Sequence, residues 1–295
     1  MSRSPMRIHH LNCGTLCPVG KLLMNGHGSP LARGTLVCHC QLVETGDGLV
    51  LIDTGLGTVD IREPMSTLPG PVWQAINQAQ LRPEETAIAR VRALGYQPAD
   101  VRHIVLTHLD FDHAGGLGDF PHADVHVYAL EHGAAMARMT PRERMRYAPR
   151  QFEHGVRWRL HDEDGERWFG FDRVRALPGV DPEILLVPLL GHSRGHCGVA
   201  VRTADGWLLN CGDAAFHHRE IYGQRRRCPP GLRAYQNVFQ FDRGARLFNQ
   251  QRLRDLANDA SSNVEIVCSH DPAMLRSGVV TADGAMLAVP GSSTT

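Results

Sequence analysis

The sequence predicts an α/β fold, organised as a single two-sheet domain with insertions, and three observations carry that expectation. Apolar and β-branched runs recur along the chain, and each stops at a polar residue. Segments with helical spacing fall between several of these runs. A length of 295 residues with 42% hydrophobic content supplies a sizeable core, although it is long for one domain.

The elements follow in order. Leu36 to Glu44 reads as a strand, Thr45-Gly46-Asp47-Gly48 as a hairpin turn, and Leu49 to Ile52 as a short buried strand ended by Asp53-Thr54-Gly55-Leu56-Gly57. His9 and His10 open the first strand region and are expected to be structural. The stretch 58–83 is irregular, broken by Pro64, Pro69, Pro71 and Pro83. Glu84 to Leu94 has helical spacing at Ile88, Val91 and Leu94, and Gly95 suits the position after the last turn. Val101 to Thr107 is a strand that runs into His108. Ala123 to Tyr128 is another strand, and Ala129 to Met139 a helix. Residues 140–182 are polar and weakly patterned, and read as an inserted loop or cap beside the site. Trp158, Trp168, Phe169 and Phe171 within them either line a pocket or anchor the insertion.

Ile184 to Leu190 is a strand ending at Gly191-His192. Gly198 to Arg202 and Trp207 to Asn210 form a second hairpin, which runs into Cys211-Gly212-Asp213. Residues 216–241 read as loop and hold Arg225-Arg226-Arg227, which reads as a solvated stretch, with binding of an anionic substrate group near Asp213 as the alternative. Arg243 to Asp259 has helical periodicity. Val264 to Cys268 is a last strand, ending at Ser269-His270-Asp271, and the chain closes in a Ser/Thr tail.

Bulk properties exclude several classes. Lys plus Arg and Asp plus Glu are 31 each, so nothing argues for nucleic acid or an anionic membrane as partner. No apolar run approaches the roughly 20 residues of a membrane span. Met1 to Gly14 has no secretory apolar segment, so the expected compartment is the cytoplasm. Cys13, Cys17, Cys38 and Cys40 lie in close pairs but lack matching soft ligands, and read as buried or incidental thiols.

The chemistry lies at the strand ends. Asp53, His108, His192, Asp213 and His270 each follow a β run within about three residues, the edge where α/β proteins build sites. In His108-Leu109-Asp110-Phe111-Asp112-His113, four ligand-type side chains occur within one short segment. Imidazole and carboxylate suit zinc, iron, manganese or nickel. No Gly-x-Ser-x-Gly is present, which sets aside a serine-nucleophile class.

Thr107 to Gly116, Gly191-His192-Ser193-Arg194-Gly195-His196, Cys211-Gly212-Asp213 and Ser269-His270 resemble the metallo-β-lactamase superfamily, nearest to its N-acyl-homoserine lactonase-like and glyoxalase II-like hydrolases. The hairpin Asp47 to Gly55 is similar to the first motif of that family, and the matches keep the family's order from about residue 36 to 271. The resemblance implies an αββα four-layer sandwich of two mixed sheets flanked by helices. It implies two divalent ions, with zinc expected and iron or manganese as alternatives. One would take His108, Asp110 and His192, the other Asp112, His113 and His270, with Asp213 bridging. Asp53 and His196 would support ligands rather than bind. Asp112 and Asp213 would be the catalytic carboxylates around a bridging hydroxide, with Asp112 passing a proton to the leaving oxygen. The substrate would be a small-molecule lactone or related ester, and the protein a monomer or homodimer.

Two departures stand out. The family has histidine at position 110. With aspartate, two divalent cations against three carboxylates and a hydroxide sum to zero, which favours harder ions such as iron or manganese. Lactonase-like members also carry a tyrosine three residues past the bridging aspartate. Here that place is Phe216, with His217 or Tyr222 as possible substitutes in the substrate pocket. The alternatives are an iron-dependent redox enzyme of the same fold, persulfide dioxygenase-like, and a non-catalytic binding member.

Overall fold

Asp47-Gly48 closes the hairpin that begins the fold, and Thr45 Oγ1 fastens it by donating to the Gly48 carbonyl at 2.8 Å. The computed structural model describes residues 7–162, 164–181, 183–275, 279–281 and 286–287; the C-terminal Ser/Thr tail lies outside them. The strands are β1 (Arg7–Leu16), β2 (Leu36–Thr45), β3 (Gly48–Ile52), β4 (Ala79–Gln80), β5 (Val101–Val105), β6 (Asp124–Tyr128), β7 (Arg157–His161), β8 (Glu166–Trp168), β9 (Phe171–Ala176), β10 (Ile184–Pro188), β11 (Cys197–Arg202), β12 (Trp207–Asn210), β13 (Val264–Val267), β14 (Val279–Thr281) and β15 (Met286–Leu287). The helices are α1 (Lys21–Asn25), α2 (Thr58–Arg62), α3 (Pro64–Thr67), α4 (Pro71–Asn77), α5 (Ala87–Ala93), α6 (Phe111–Ala114), α7 (Ala129–Ala137), α8 (Pro141–Arg146), α9 (His218–Ile221), α10 (Pro230–Phe239) and α11 (Arg243–Asn258).

Among the described residues, one sheet runs β15-β14-β1-β2-β3-β5-β6-β7 with β4 on β1, and the other β13-β12-β11-β10-β9-β8. Both are mixed. β3, β5, β6 and β7 are parallel, as are β12 and β13, while the remaining pairs are antiparallel. Side-chain alternation explains the two-sheet stack. Val50, Ile52, Val105, Val199, Val201, Leu208 and Val267 point into the core shared by both sheets. Their neighbours point outward: Leu49, Leu51 and Ile104 into a layer with α5 and α7, and Trp207, Leu209 and Ile266 into one with α11. Both faces are covered, so these strands read as continuous apolar runs. The expected αββα sandwich of two mixed sheets is the observed architecture.

Two segments differ from their reading. Residues 216–241 hold α9 and the ten-residue α10 rather than loop alone. Pro229-Pro230-Gly231 looks like a turn, but Pro230 occupies the first helical turn, where its missing N–H has no partner to lose. Residues 140–182 contain α8 and three strands. β7 extends the first sheet, and β9 pairs with β10 of the second. Their partners are distant in sequence, which hides them from local patterning. Trp158 lies against Phe152 and His132, and Trp168 against Phe171 and Trp207, so these aromatics anchor the segment. Phe169 is exposed. His9 pairs with Glu44 at 2.7 Å and His10 with His39 at 2.7 Å, in keeping with structural roles.

A histidine row crosses β5, β6 and β7. His126 bonds His103 at 3.1 Å and His161 at 2.9 Å. Burial first, then the His161 and His103 neighbours, pull the His126 imidazole down to about 3. The unfolded chain therefore takes up a proton near pH 6.5 that the folded chain refuses. Stability is intact above that pH and falls as pH drops toward 3. The loss at pH 5 is about 2 kcal/mol from this group. Urea unfolding of His126→Gln should show a gap between pH 7.5 and pH 5 smaller by that amount; an unchanged gap rejects the assignment.

Candidate metal centre

Five strand ends converge on one edge of the sandwich. β3 delivers Asp53, β5 delivers His108, β10 leads to His192, β12 to Asp213 and β13 to His270. Asp53 adopts a left-handed backbone with φ of 53°, a costly conformation for a residue with a Cβ. Its carboxylate accounts for the strain. It accepts the Thr107 N–H and hydroxyl, both at 2.8 Å, and meets His113 Nδ1 at 2.9 Å. Gly212 has φ of +51°, and a Cβ there would come within 2.7 Å of His196 Nε2.

The histidine and carboxylate side chains form two buried groups, His108, Asp110, His192 and Asp213, and Asp112, His113 and His270. In the first, His108 Nε2 is 3.4 Å from Asp110 Oδ2 and 3.7 Å from Asp213 Oδ2. His192 Nε2 is 3.1 Å and 3.3 Å from the same two oxygens. In the second, Asp213 Oδ1 lies 3.4 Å from His113 Nε2 and 3.1 Å from His270 Nε2, which is 3.7 Å from Asp112 Oδ2. His270 Nε2 is also 3.3 Å from Asp213 Oδ2, so the Asp213 carboxylate lies between the two groups and reaches both. Four ligands at about 2.0–2.1 Å around a tetrahedral centre are spaced by about 3.3 Å. His108 Nε2, His113 Nε2 and Asp213 Oδ1 are buried and make no hydrogen bond. Buried nitrogens and oxygens that crowd together without bonding one another suit a common cation, and the donor set fits two.

Surrounding groups fix which ring nitrogen faces the centre. Asp53 engages His113 Nδ1, and the Val37 carbonyl engages His270 Nδ1 at 2.8 Å, leaving Nε2 inward in both. His196 places Nδ1 on the Leu189 carbonyl at 3.0 Å and accepts the Asp213 N–H at Nε2, 2.9 Å, so both its nitrogens are committed. Glu131 ties the two ligand loops together. It accepts Leu109 N–H and the Tyr147 hydroxyl on one oxygen, and Ser193 hydroxyl and Gly195 N–H on the other.

Arg146, at the end of α8, changes the charge arithmetic. It is 4% exposed, and its Nε stands 3.2 Å from Asp110 Oδ1. Its Nη1 donates to the His192 carbonyl at 3.0 Å and its Nη2 to the Phe239 carbonyl at 2.8 Å. Burial works to raise Asp110, but Arg146 and His108 outweigh it and hold the carboxyl well below its usual range. Likewise His270, His113 and His192 overcome burial at Asp213. Aspartate at 110 plus this arginine carries the same net charge as neutral histidine. The pairing offsets the extra carboxylate, so the charge difference expected from aspartate at 110 is balanced within the site.

Phe216 is fully buried, with its ring 4.9 Å from His270 and 5.8 Å from His192. Tyr235 on α10 faces the same place. Its ring is 6.0 Å from Phe216, and Trp73 Nε1 donates to its hydroxyl at 3.3 Å. Burial, then the charge of Asp112 and the other two carboxylates, pushes this phenol far up, so it stays a neutral donor. The structure does not bring His217 or Tyr222 to the two groups. His217 stacks on His218, which pairs with Asp271 at 2.7 Å. The Tyr222 hydroxyl bonds the Ile266 carbonyl and N–H, both at 2.8 Å. Sequence reading missed Tyr235 because α10 was taken for loop, and Arg146 because Arg142, Arg144 and Arg150 surround it. Cys13, Cys38 and Cys40 are buried free thiols, Cys17 is a half-buried one, and no cysteine joins a ligand group among the described residues.

The family described as the metallo-beta-lactamase superfamily matches residues 33–259. A protein of Mycobacterium tuberculosis named a probable metallo-hydrolase is 42% identical over 268 residues, covering 91% of this chain and 81% of its own length. An N-acyl homoserine lactonase of Azorhizobium caulinodans is 29% identical over 276 residues, 90% of this chain and 94% of that one. Among solved structures, an N-acyl homoserine lactone hydrolase with N-hexanoyl-L-homoserine bound at its catalytic metal center aligns with a TM-score of 0.65 at 21% identity, over 92% of this chain and 95% of that one. This last likeness is one of fold.

Proposed function

The chain belongs to the metallo-beta-lactamase superfamily, and from that premise we propose that it is a dinuclear metal-dependent hydrolase of an ester-type bond, a lactone or related carboxylic ester. The observation that carries this reading is Asp213, whose carboxylate lies between the two buried groups and reaches histidines of both. One ion would be held by His108, Asp110, His192 and Asp213, the other by Asp112, His113, His270 and Asp213. Zinc is favoured, since Arg146 offsets the extra carboxylate; iron and manganese stand second. When bound, such ions lower the pKa of a shared water and polarise a carbonyl.

The chain's own groups do the rest. Asp53 and His196 hold His113 and the Asp213 backbone in register. Asp112, with its carboxylate 3.7 Å from His270 at the edge of the second group, would carry a proton to the leaving oxygen. Tyr235 offers a neutral hydroxyl to the developing oxyanion in place of the tyrosine absent at 216. Phe216, Trp73 and Phe111 keep water from that side of the site. In this reading the chain is one catalytic unit, a monomer or homodimer, with residues 140–182 forming part of the site's wall. Free cysteines suit a cytoplasmic location. Among the described residues no helix is long and apolar enough to cross a membrane.

The test is metal analysis followed by assays of homoserine lactones, simple lactones, aryl esters, thioesters and phosphodiesters on the same sample. Lactone or ester turnover should disappear on chelation and return with zinc. Tyr235→Phe should lower kcat by about a hundredfold at unchanged metal content. Turnover of phosphodiesters alone, or of nothing by protein holding two ions, rejects the assignment.

A further inference from the structure

A second cavity, of about 360 Å³, lies between the 216–241 segment and the start of α11, and its lining includes Arg226, Arg233, Arg243 and Arg246 with Asn237 and Cys228. That volume falls within the ~300–1,000 Å³ of small-molecule sites. No lining residue is acidic.

Arg246 separates this cavity from an ordinary basic surface. It is 2% exposed, yet its guanidinium is held only by neutral amide oxygens. Nε donates to Gln240 at 2.8 Å, Nη1 to Gln236 at 2.6 Å and Nη2 to Asn237 at 3.3 Å. Buried guanidinium groups ordinarily end on a carboxylate, because an uncompensated charge out of water is costly. Among the described residues, none of Arg233, Arg243 and Arg246 makes an ion pair. Arg226 reaches Glu220 only at 3.8 Å. Glu220 is itself engaged by the Phe216 N–H at 3.0 Å and Gln236 at 2.9 Å. Asp242 is spent on capping α11 at the Ala245 N–H. Burial, with Arg226 and Arg243 behind it, presses the Arg246 pKa below its usual value against the pull of Glu220. A solvated basic loop would leave its guanidinium groups in water; here one is held in the wall by three side chains of the α10 end.

We propose that this cavity binds an oxyanion of the phosphate class, as free phosphate or as the phosphate of a phosphorylated small molecule. Guanidinium forks match tetrahedral oxyanions, and Arg246 supplies the preorganised member while exposed Arg233 and Arg243 close from the mouth. The inference does not depend on the hydrolase reading. The cavity is nevertheless wired to the metal centre. Gln236, which holds Arg246, also holds Glu220, and Gln250 bonds both Gln236 and the Ala214 carbonyl beside Asp213.

The test is calorimetric titration of inorganic phosphate into the full-length, metal-loaded protein at constant ionic strength. Saturable binding is expected, weakened about tenfold or more in Arg233→Gln/Arg243→Gln. Metal content and melting temperature should not change, because both positions are exposed. A parallel titration with glycerol phosphate distinguishes the sources: tighter binding than phosphate assigns a phosphorylated molecule, equal or weaker binding assigns the free anion. Absence of saturable binding to either probe overturns the proposal. So does an isotherm unchanged in the double variant, which would put the anion on the metal centre.

Discussion

Asp110→His, although it installs the residue the family carries, is expected to weaken metal binding rather than improve it. The reason is Arg146, which lies 3.2 Å from Asp110 and within 3.4 Å of His192 Nε2. Removing the carboxylate leaves a buried guanidinium with no counter-charge beside a cation. Two like charges a few ångströms apart repel by about 4 kcal/mol at the effective dielectric of a partly buried site. Competition against a calibrated chelator should therefore show an affinity loss of tenfold to about a thousandfold. Arg146→Gln has the opposite character. It strands a buried carboxylate, so the metal-free protein should lose about 3–5 kcal/mol of stability and gain more than the parent when metal is added. The double variant Asp110→His/Arg146→Gln restores the net charge and should recover most of the parent affinity. If Asp110→His binds metal as tightly as the parent, or the double variant binds no better than Asp110→His, the compensation does not exist.

Asp213→Ala should be the most damaging single change to activity. Asp213 Oδ2 faces His108 and His192, Oδ1 faces His113, and His270 Nε2 lies within 3.3 Å of both oxygens. Loss of this carboxylate removes a ligand from both groups and an anion that four histidines share. Metal content should fall below one ion per chain, and hydrolysis by about a thousandfold or more, since the ions' contribution is several kcal/mol. His270→Ala is the control. It touches one group only, and should leave the other ion in place. Elemental analysis of the two purified variants separates these outcomes. Two ions retained by Asp213→Ala, together with full activity, would remove the dinuclear reading.

Much of this is legible in the amino-acid sequence. The recurring apolar runs and the Asp-Gly turns point to an α/β fold, the family resemblance implies its two sheets, and the ligand-type residues fall after strands. Strand ends that share one edge of a sheet are neighbours whatever their distance in sequence, so His108, His192, Asp213 and His270 meet. Helix α10 was not legible, because Pro230 and Gly231 carry turn signals that outweigh the spacing of Leu232 and Gln236. Without α10 nothing in the sequence brings Tyr235 to the centre, and the nearer hydroxyl in sequence, Tyr222, is bound to the backbone of β13.

By itself, then, the sequence determined the fold class and the set of groups that gather at one edge, because both follow from local periodicity and strand order. Only the tertiary structure decided how those groups are charged and oriented. Arg146 on Asp110 and Trp73 on Tyr235 are contacts between elements far apart along the chain. Arginine and tyrosine occur on many surfaces and mark no site by type alone. Their meaning here comes from burial and from the partner each is given, and neither can be read from neighbours in sequence.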